Sequence, residues 1–376
     1  MSSSVFGTLA AAAGPLVMIV GLYIWEQHWT RGSAFALNLF KCCLASIGFL
    51  LASYAARPGR SFPRDIFTAE AIGFLFLSST LGILIGDWAW LEAQQKIGTL
   101  RVVLVDTTKP FLAALLGWII LKEQLRWEAF AGMALTVGGV LVVTLESNVT
   151  SDETVLSLQN REHTEGIIVS NESNSITSIE GQETIIEEED TETGIKALDD
   201  VSFGEAQVPA TTSNATVRYG YFMATLNVGL DTYGSLLTKD YGVGMTSWEI
   251  SLLRFGFAGA VMLLVSIIMH TKDHLIITET PKVIDSSHWY LMPHLSRRTW
   301  GFVIAGVALV TFLAPALSNY SLFQIPLALA ITLGSIGPLY ALPLDLIIKG
   351  KRPTVRSIVG SVLAVAGIII LAVRGT

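Results

Sequence analysis

The sequence predicts an all-α membrane protein, with ten transmembrane helices forming two inverted five-helix repeats joined by a long disordered acidic loop. Three observations predict it. Ten apolar stretches approach the roughly 20 residues that a helix needs to cross a bilayer. The first five match the second five in register. One interior stretch is so acidic, and so poor in apolar residues, that it belongs to neither set.

A segment in lipid must satisfy its backbone groups internally, so the apolar stretches read as helices. They show no alternating pattern of a membrane β-barrel. In the first half they cover about 6–25, 33–55, 68–91, 98–121 and 127–145. In the second half they cover about 219–238, 247–269, 299–317, 326–348 and 355–373. The opening MSSSVFG lacks the basic residues of a secretory signal, so the first stretch reads as a retained helix. Cys42 and Cys43 are the only cysteines and are adjacent, which excludes a disulfide framework and metal-finger spacing.

Charge divides the chain further. Residues 147–217 hold 15 acidic and 2 basic side chains, a net −13, whereas the other 305 residues hold 16 and 22, a net +6. The acidic stretch has no tryptophan or tyrosine and one phenylalanine, Phe203, too little apolar surface to offset chain entropy. The expected organisation is therefore a first repeat over 1–146, a disordered loop over 147–217 and a second repeat over 218–376. No basic stripe stands outside the short loops, so nucleic acid is not an expected partner.

The repeat is visible residue by residue. A shift of 228 superposes Pro110 on Pro338, Gly132 on Gly360 and Gly139 on Gly367, with no gap from Ile97/Ile325 onward. Over the first two spans a shift of 213 pairs Gly7 with Gly220 and Lys41 with Arg254. The difference of 15 falls in the loop before the third span. Five spans per copy is an odd number, so the copies must cross in opposite directions. Loop cations do not fix sidedness, because both halves carry them in matching loops: Arg57, Arg60, Arg64, Lys122 and Arg126 in the first, and Lys272, Lys282, Arg297, Arg298, Lys349, Lys351, Arg352 and Arg356 in the second.

A charge at the bilayer centre costs at least about 2.5–3.5 kcal/mol, so each one needs a reason. Six lie more than a turn inside spans: Lys41, Asp87, Asp106, Lys109, Asp231 and Arg254. Asp106 and Lys109 share a helix face, and the ring of Pro110 denies the Asp106 carbonyl its helical partner. That combination builds a polar site at mid-depth or, failing that, a buried ion pair that serves packing. Asn227, Asp231 and Ser235 form a second stripe, read either as a binding face or as interhelical glue. Asp87, Trp90 and Gln94 form a third, with Trp88 and Trp90 alternatively interfacial anchors. Lys41 and Arg254 keep a cation at one register in both copies, to grip an anion or to pair with an acid across the bundle, the structural alternative being to snorkel to an interface. Glu70, Arg101, Glu128, Glu249 and Asp345 lie near span ends and are expected to extend toward headgroups. Gly132, Gly138, Gly139, Gly360 and Gly367 are expected to let helices approach closely.

Enzyme chemistry is not expected. Neither an HExxH zinc motif nor a GxSxG elbow occurs, and the paired motifs of intramembrane aspartyl proteases are absent. No cofactor or metal is implied.

The stretch TLRVVLVDTTKPFLAALLGWIILKEQLRWEAFAGMALTVGGVLVV resembles the drug/metabolite transporter superfamily in its EamA-like branch. The matching residues are Pro110 early in the fourth helix, Glu123 after it, and Gly132 and Gly139 in the fifth. The second copy matches at Pro338, Gly360 and Gly367 but has Lys351 in place of the glutamate and an extra Pro343. The basic residue of each second helix corresponds to Lys41 and Arg254. The resemblance implies ten helices in two inverted repeats around a central cavity, and transport of small organic solutes by alternating access. A secondary carrier of small polar metabolites is thus expected. Its substrate-binding residues would be Lys41, Asp87, Trp90, Asp106, Lys109, Asn227, Asp231 and Arg254. Both signs of charge suit a zwitterion, or an anion exchanged for a counter-solute. If protons drive the carrier, Asp106 or Asp231 carries them. The expected partners are a small-molecule metabolite and membrane lipid, with a homodimer as the oligomer to test. The competing class is a non-transporting multi-pass scaffold that works through its acidic loop.

Overall fold

The computed structural model describes residues 3–25, 28–29, 33–56, 66–145, 214–277, 289–349 and 353–374. Among the described residues, long apolar runs whose backbone can be satisfied only within the segment fold as ten helices. In the first repeat these are α1 (Ser3–Trp25), α2 (Ala34–Ala56), α3 (Ala69–Ile97), α4 in two pieces (Thr99–Asp106 and Lys109–Ile119) and α5 (Trp127–Leu145). In the second they are α6 (Asn214–Tyr241), α7 (Ser247–Ile277), α8 (Arg297–Gln324), α9 in two pieces (Leu327–Gly334 and Gly337–Lys349) and α10 (Val355–Arg374). The acidic stretch lies outside the described residues from 146 to 213, and α6 begins four residues inside the boundary expected at 217.

Nine of these helices are long and apolar enough to cross a membrane. The exception, α6, has the length, but its tyrosines together with Asn227, Asp231, Lys239 and Asp240 lower its hydropathy. A helix of that composition is tolerated only where neighbours cover its polar face, and α6 is packed along α3.

Local signals repeat with the sequence. Thr68 caps α3 by accepting the Ala71 N–H, and Ser296, 228 residues on, caps α8 by accepting the Thr299 N–H. Gly98 turns α3 into α4 with φ +80°, a conformation open to glycine, and Pro326 makes the equivalent turn between α8 and α9.

The packing is reciprocal, as a pseudo-two-fold requires. α1 lies on α8 and its equivalent α6 lies on α3, while α2 packs against α7 and α4 against α9. α5 and α10 meet through glycines. A Cβ on Gly360 would stand 2.8 Å from the Gly139 carbonyl, and one on Gly367 would stand 2.6 Å from the Gly132 carbonyl. Gly138 is a correction, since nothing lies within 4 Å of a Cβ there. Five crossings invert the second repeat. We call the face where α1 begins proximal, and the face where α5 ends and α6 begins distal.

Candidate functional site

The site begins with two backbone irregularities at equivalent positions. α3 widens to π geometry over Thr80–Gly86 and α8 over Ala308–Leu313. In each, an N–H reaches back five residues, Asp87 to Gly82 and Ala314 to Leu309. Such turns leave carbonyls for side chains to claim. Asn38 Nδ2 donates to the Ile83 carbonyl at 3.2 Å, and Asn227 Nδ2 donates to the Gly86 carbonyl at 2.9 Å. Ser79 Oγ donates to the Arg254 carbonyl at 2.5 Å, which holds α7 in place. The third span is thereby wired to α2, α6 and α7.

α4 supplies the second irregularity. Pro110 has no N–H to offer, and the helix is interrupted at Thr107 and Thr108 rather than merely kinked. The threonine hydroxyls turn back onto the Leu104 and Val105 carbonyls at 2.6 and 2.7 Å. α9 breaks at the equivalent Ser335 and Ile336, just before Pro338.

These irregularities surround a cavity of about 560 Å³. All eight predicted residues line it: Lys41 of α2, Asp87 and Trp90 of α3, Asp106 and Lys109 of α4, Asn227 and Asp231 of α6, and Arg254 of α7. Lys109 Nζ stands between two carboxylates, 3.3 Å from Asp106 Oδ1 and 3.0 Å from Asp231 Oδ2. Trp90 Nε1 donates to Asp106 Oδ2 at 3.2 Å, so this indole lies against the cavity charges. Lys41 Nζ lies 3.5 Å from Asp87 Oδ2. Arg254 is 7% exposed, and its Nε is buried without a hydrogen-bond partner, as is Asn227 Oδ1. Among the described residues no carboxylate comes within ion-pair range of Arg254.

The symmetry of the helices does not extend to the chemistry. The counterparts of Asp87, Trp90, Asp106 and Lys109 are Pro315, Ser318, Gly334 and Gly337, and those of Asn227 and Asp231 are Gly14 and Met18. Every one of these lines the same cavity. One lobe, on α3, α4 and α6, carries charge; the other, on α1, α8 and α9, carries none. Lys41 and Arg254 keep their shared register on the packed pair α2 and α7.

The family can now be named. Residues 6–145 and 219–373 match the EamA-like transporter family. The chain belongs to this family. It is therefore an integral, multi-pass membrane transporter of the drug/metabolite transporter superfamily. No curated protein matches the sequence. A solved structure titled only as a crystal structure of a protein is 14% identical at a TM-score of 0.59, over 98% of this chain and 98% of its own, and shows the fold alone.

Other expectations fare unequally. Glu249 does not extend to headgroups: it is 1% exposed and accepts the Thr246 N–H at 2.8 Å, while Thr246 Oγ1 accepts the Glu249 N–H at 3.3 Å. That reciprocal pair is a capping box for α7. Glu70 and Arg101 are exposed. Gln94 does not line the cavity. The Asp345 side chain and Lys351 lie outside the described residues.

One buried ion pair escaped sequence reasoning. Lys239 Nζ lies 2.6 Å from Glu123 Oε1 and donates to the Ile325 carbonyl at 2.7 Å. Glu123 Oε2 accepts the Leu327 N–H at 2.9 Å. This cluster joins the proximal ends of α4 and α6 to the α8–α9 junction. Lys239 falls one residue past the span expected from hydropathy, where a cation reads as an ordinary span end.

Proposed function

We propose that this EamA-family protein is a secondary carrier that moves a small polar organic solute by alternating access. The observation that supports it most is the cavity itself, where three acids and three bases at mid-span share one hollow. Buried charges that served packing alone would be expected in separate, closed contacts, because each costs desolvation unless paired.

The two ends of the cavity differ in a way that suits the reading. Its lining reaches the distal ends of α5 and α10 at Thr144, Thr354 and Ser357. Toward the proximal face Leu236, Leu322, Ile325 and Leu327 pack into one apolar cluster, with the Glu123–Lys239 pair beyond them. The arrangement fits a state that admits solute from the distal face. Release on the proximal face then requires the Glu123–Lys239 latch to open while α1, α6 and the helices beside them move. Such motions pivot on interruptions, and the π turns and the breaks in α4 and α9 supply them.

Counterflow into proteoliposomes tests the proposal, with labelled amino acids and organic acids as probes. Wild-type chain should accumulate at least one label, and Asp231→Asn and Lys109→Ala should abolish that accumulation. Undiminished flux in both variants would remove the charged lobe from the mechanism.

A further inference from the structure

The carrier reading leaves the solute open, and the inference below rests on that reading. We infer that the cavity binds a solute whose head bears a carboxylate beside an ammonium, the carboxylate on Arg254, the ammonium on Asp231, and an uncharged body in the lobe of α1, α8 and α9.

The argument starts from how the six charges divide. Lys41 is engaged by Asp87, and Lys109 is shared between Asp106 and Asp231. The α4–α6 cluster therefore holds two carboxylates for one ammonium, a formal excess of one negative charge. Arg254 holds the matching positive charge and is not in contact with it, since no Asp231 oxygen lies within 4.0 Å of its guanidinium. Both face the same glycine. A Cβ at Gly82 would lie 3.1 Å from Arg254 Nη2 and 3.9 Å from Asp231 Oδ1. The result is an opened ion pair, a donor fork and an acceptor held a few ångströms apart at the cavity wall.

A head group carrying both charges on neighbouring atoms fills that gap with each end satisfied. A guanidinium presents two parallel N–H groups to a carboxylate, a geometry that an ammonium or a hydroxyl cannot use. Asp231 Oδ2 is occupied by Lys109, which leaves Oδ1 for a solute ammonium. A lone anion would meet the excess negative charge of the cluster, and a lone cation would meet Arg254. Each is disfavoured by one half of the wall.

The opposite lobe decides the rest of the molecule. The positions related by the repeat to Asp231, Asp87 and Asp106 are Met18, Pro315 and Gly334, and nothing there neutralises a second charge. Met18, Leu22, Val310, Ile331 and Leu342 offer hydrocarbon instead. A volume of about 560 Å³ suits a body of metabolite size and not a pair of acyl chains.

Thermal shift of the purified full chain tests this with four matched probes: leucine, 4-methylpentanoate, 3-methylbutylamine and glycine. Leucine carries head and body, and each of the others lacks one part. Leucine should stabilise the wild type, and the other three should bind at least about tenfold more weakly, as expected for losing a charge-assisted hydrogen bond or a buried body. Arg254→Gln should abolish the advantage of leucine over 3-methylbutylamine. Asp231→Asn should abolish its advantage over 4-methylpentanoate. Arg254→Lys keeps a cation in the bundle, and should fold and still weaken leucine about tenfold by losing the donor fork. The inference is overturned if leucine does no better than the two singly charged probes, or if Arg254→Lys and Arg254→Gln both bind it as the wild type does. Stabilisation by leucine without counterflow would contradict the carrier reading while leaving the head-group site standing.

Discussion

The two lobes of the cavity occupy the same positions of the two repeats and have opposite chemistry. On one side Asp87, Asp106, Lys109 and Asp231 face the hollow; on the other, Pro315, Gly334, Gly337 and Met18 do. What the repeats retain is backbone: π turns 228 residues apart, helix breaks ahead of Pro110 and Pro338, caps at Thr68 and Ser296, and glycine contacts between α5 and α10. On the proposed carrier reading the contrast has a physical sense: alternating access asks symmetry of the hinges and packing, whereas recognition of an unsymmetrical solute asks asymmetry of the lining. Lys41 and Arg254, on the facing pair α2 and α7, are the charges present in both copies.

That contrast can be attacked at several strengths. Lys109→Ala leaves Asp106 and Asp231 facing each other without a cation and should cost about 3–5 kcal/mol, read as a lowered Tm, together with the loss of flux. Its counterpart Gly337→Ala would meet Ile19 carbons at 3.5 Å, an ordinary contact, and should cost less than about 1 kcal/mol. Similar losses from both would mean that the lobes are not energetically distinct.

The proximal Glu123–Lys239 pair, the proposed latch, comes next. Glu123→Gln keeps an acceptor for the Leu327 N–H but loses the ion pair with Lys239, and should cost about 2 kcal/mol in denaturation of purified protein. It should also raise the reactivity of a cysteine introduced at Leu236, beneath the latch. Asn227→Leu removes the side-chain donor to the Gly86 carbonyl at the end of the π turn and should cost about 1 kcal/mol, with faster amide exchange around 82–87. The smallest effect belongs to the uncharged lobe. Ser318→Ala should leave Tm within about 0.5 kcal/mol of wild type and change only the preference among solutes of different size, by less than about tenfold.

Much of this was legible from residue order. Apolar length gives the ten helices within a few residues at most ends, and the glycine and proline register gives the inverted repeat. The cost of burying charge was sufficient to select Lys41, Asp87, Asp106, Lys109, Asp231 and Arg254, and all six line one cavity. The misses share a cause. The π turn at Thr80–Gly86 has no compositional mark, because it is held open by side chains from other helices, Asn38 and Asn227. Glu249 sits near a span end, where hydropathy cannot separate a headgroup contact from a capping box. Lys239 becomes notable only when the fold brings Glu123, 116 residues earlier, to within 2.6 Å of it.

The most direct measurement is thiol labelling of Ser235→Cys, on the cavity wall of α6, in sealed vesicles with Cys42 and Cys43 replaced by serine. A membrane-impermeant maleimide should label it from the distal face alone at rest. It should label it from the proximal face once Glu123→Gln opens the latch. Labelling from neither face in either protein, or equal labelling from both faces at rest, would contradict a single hollow that opens to one side at a time.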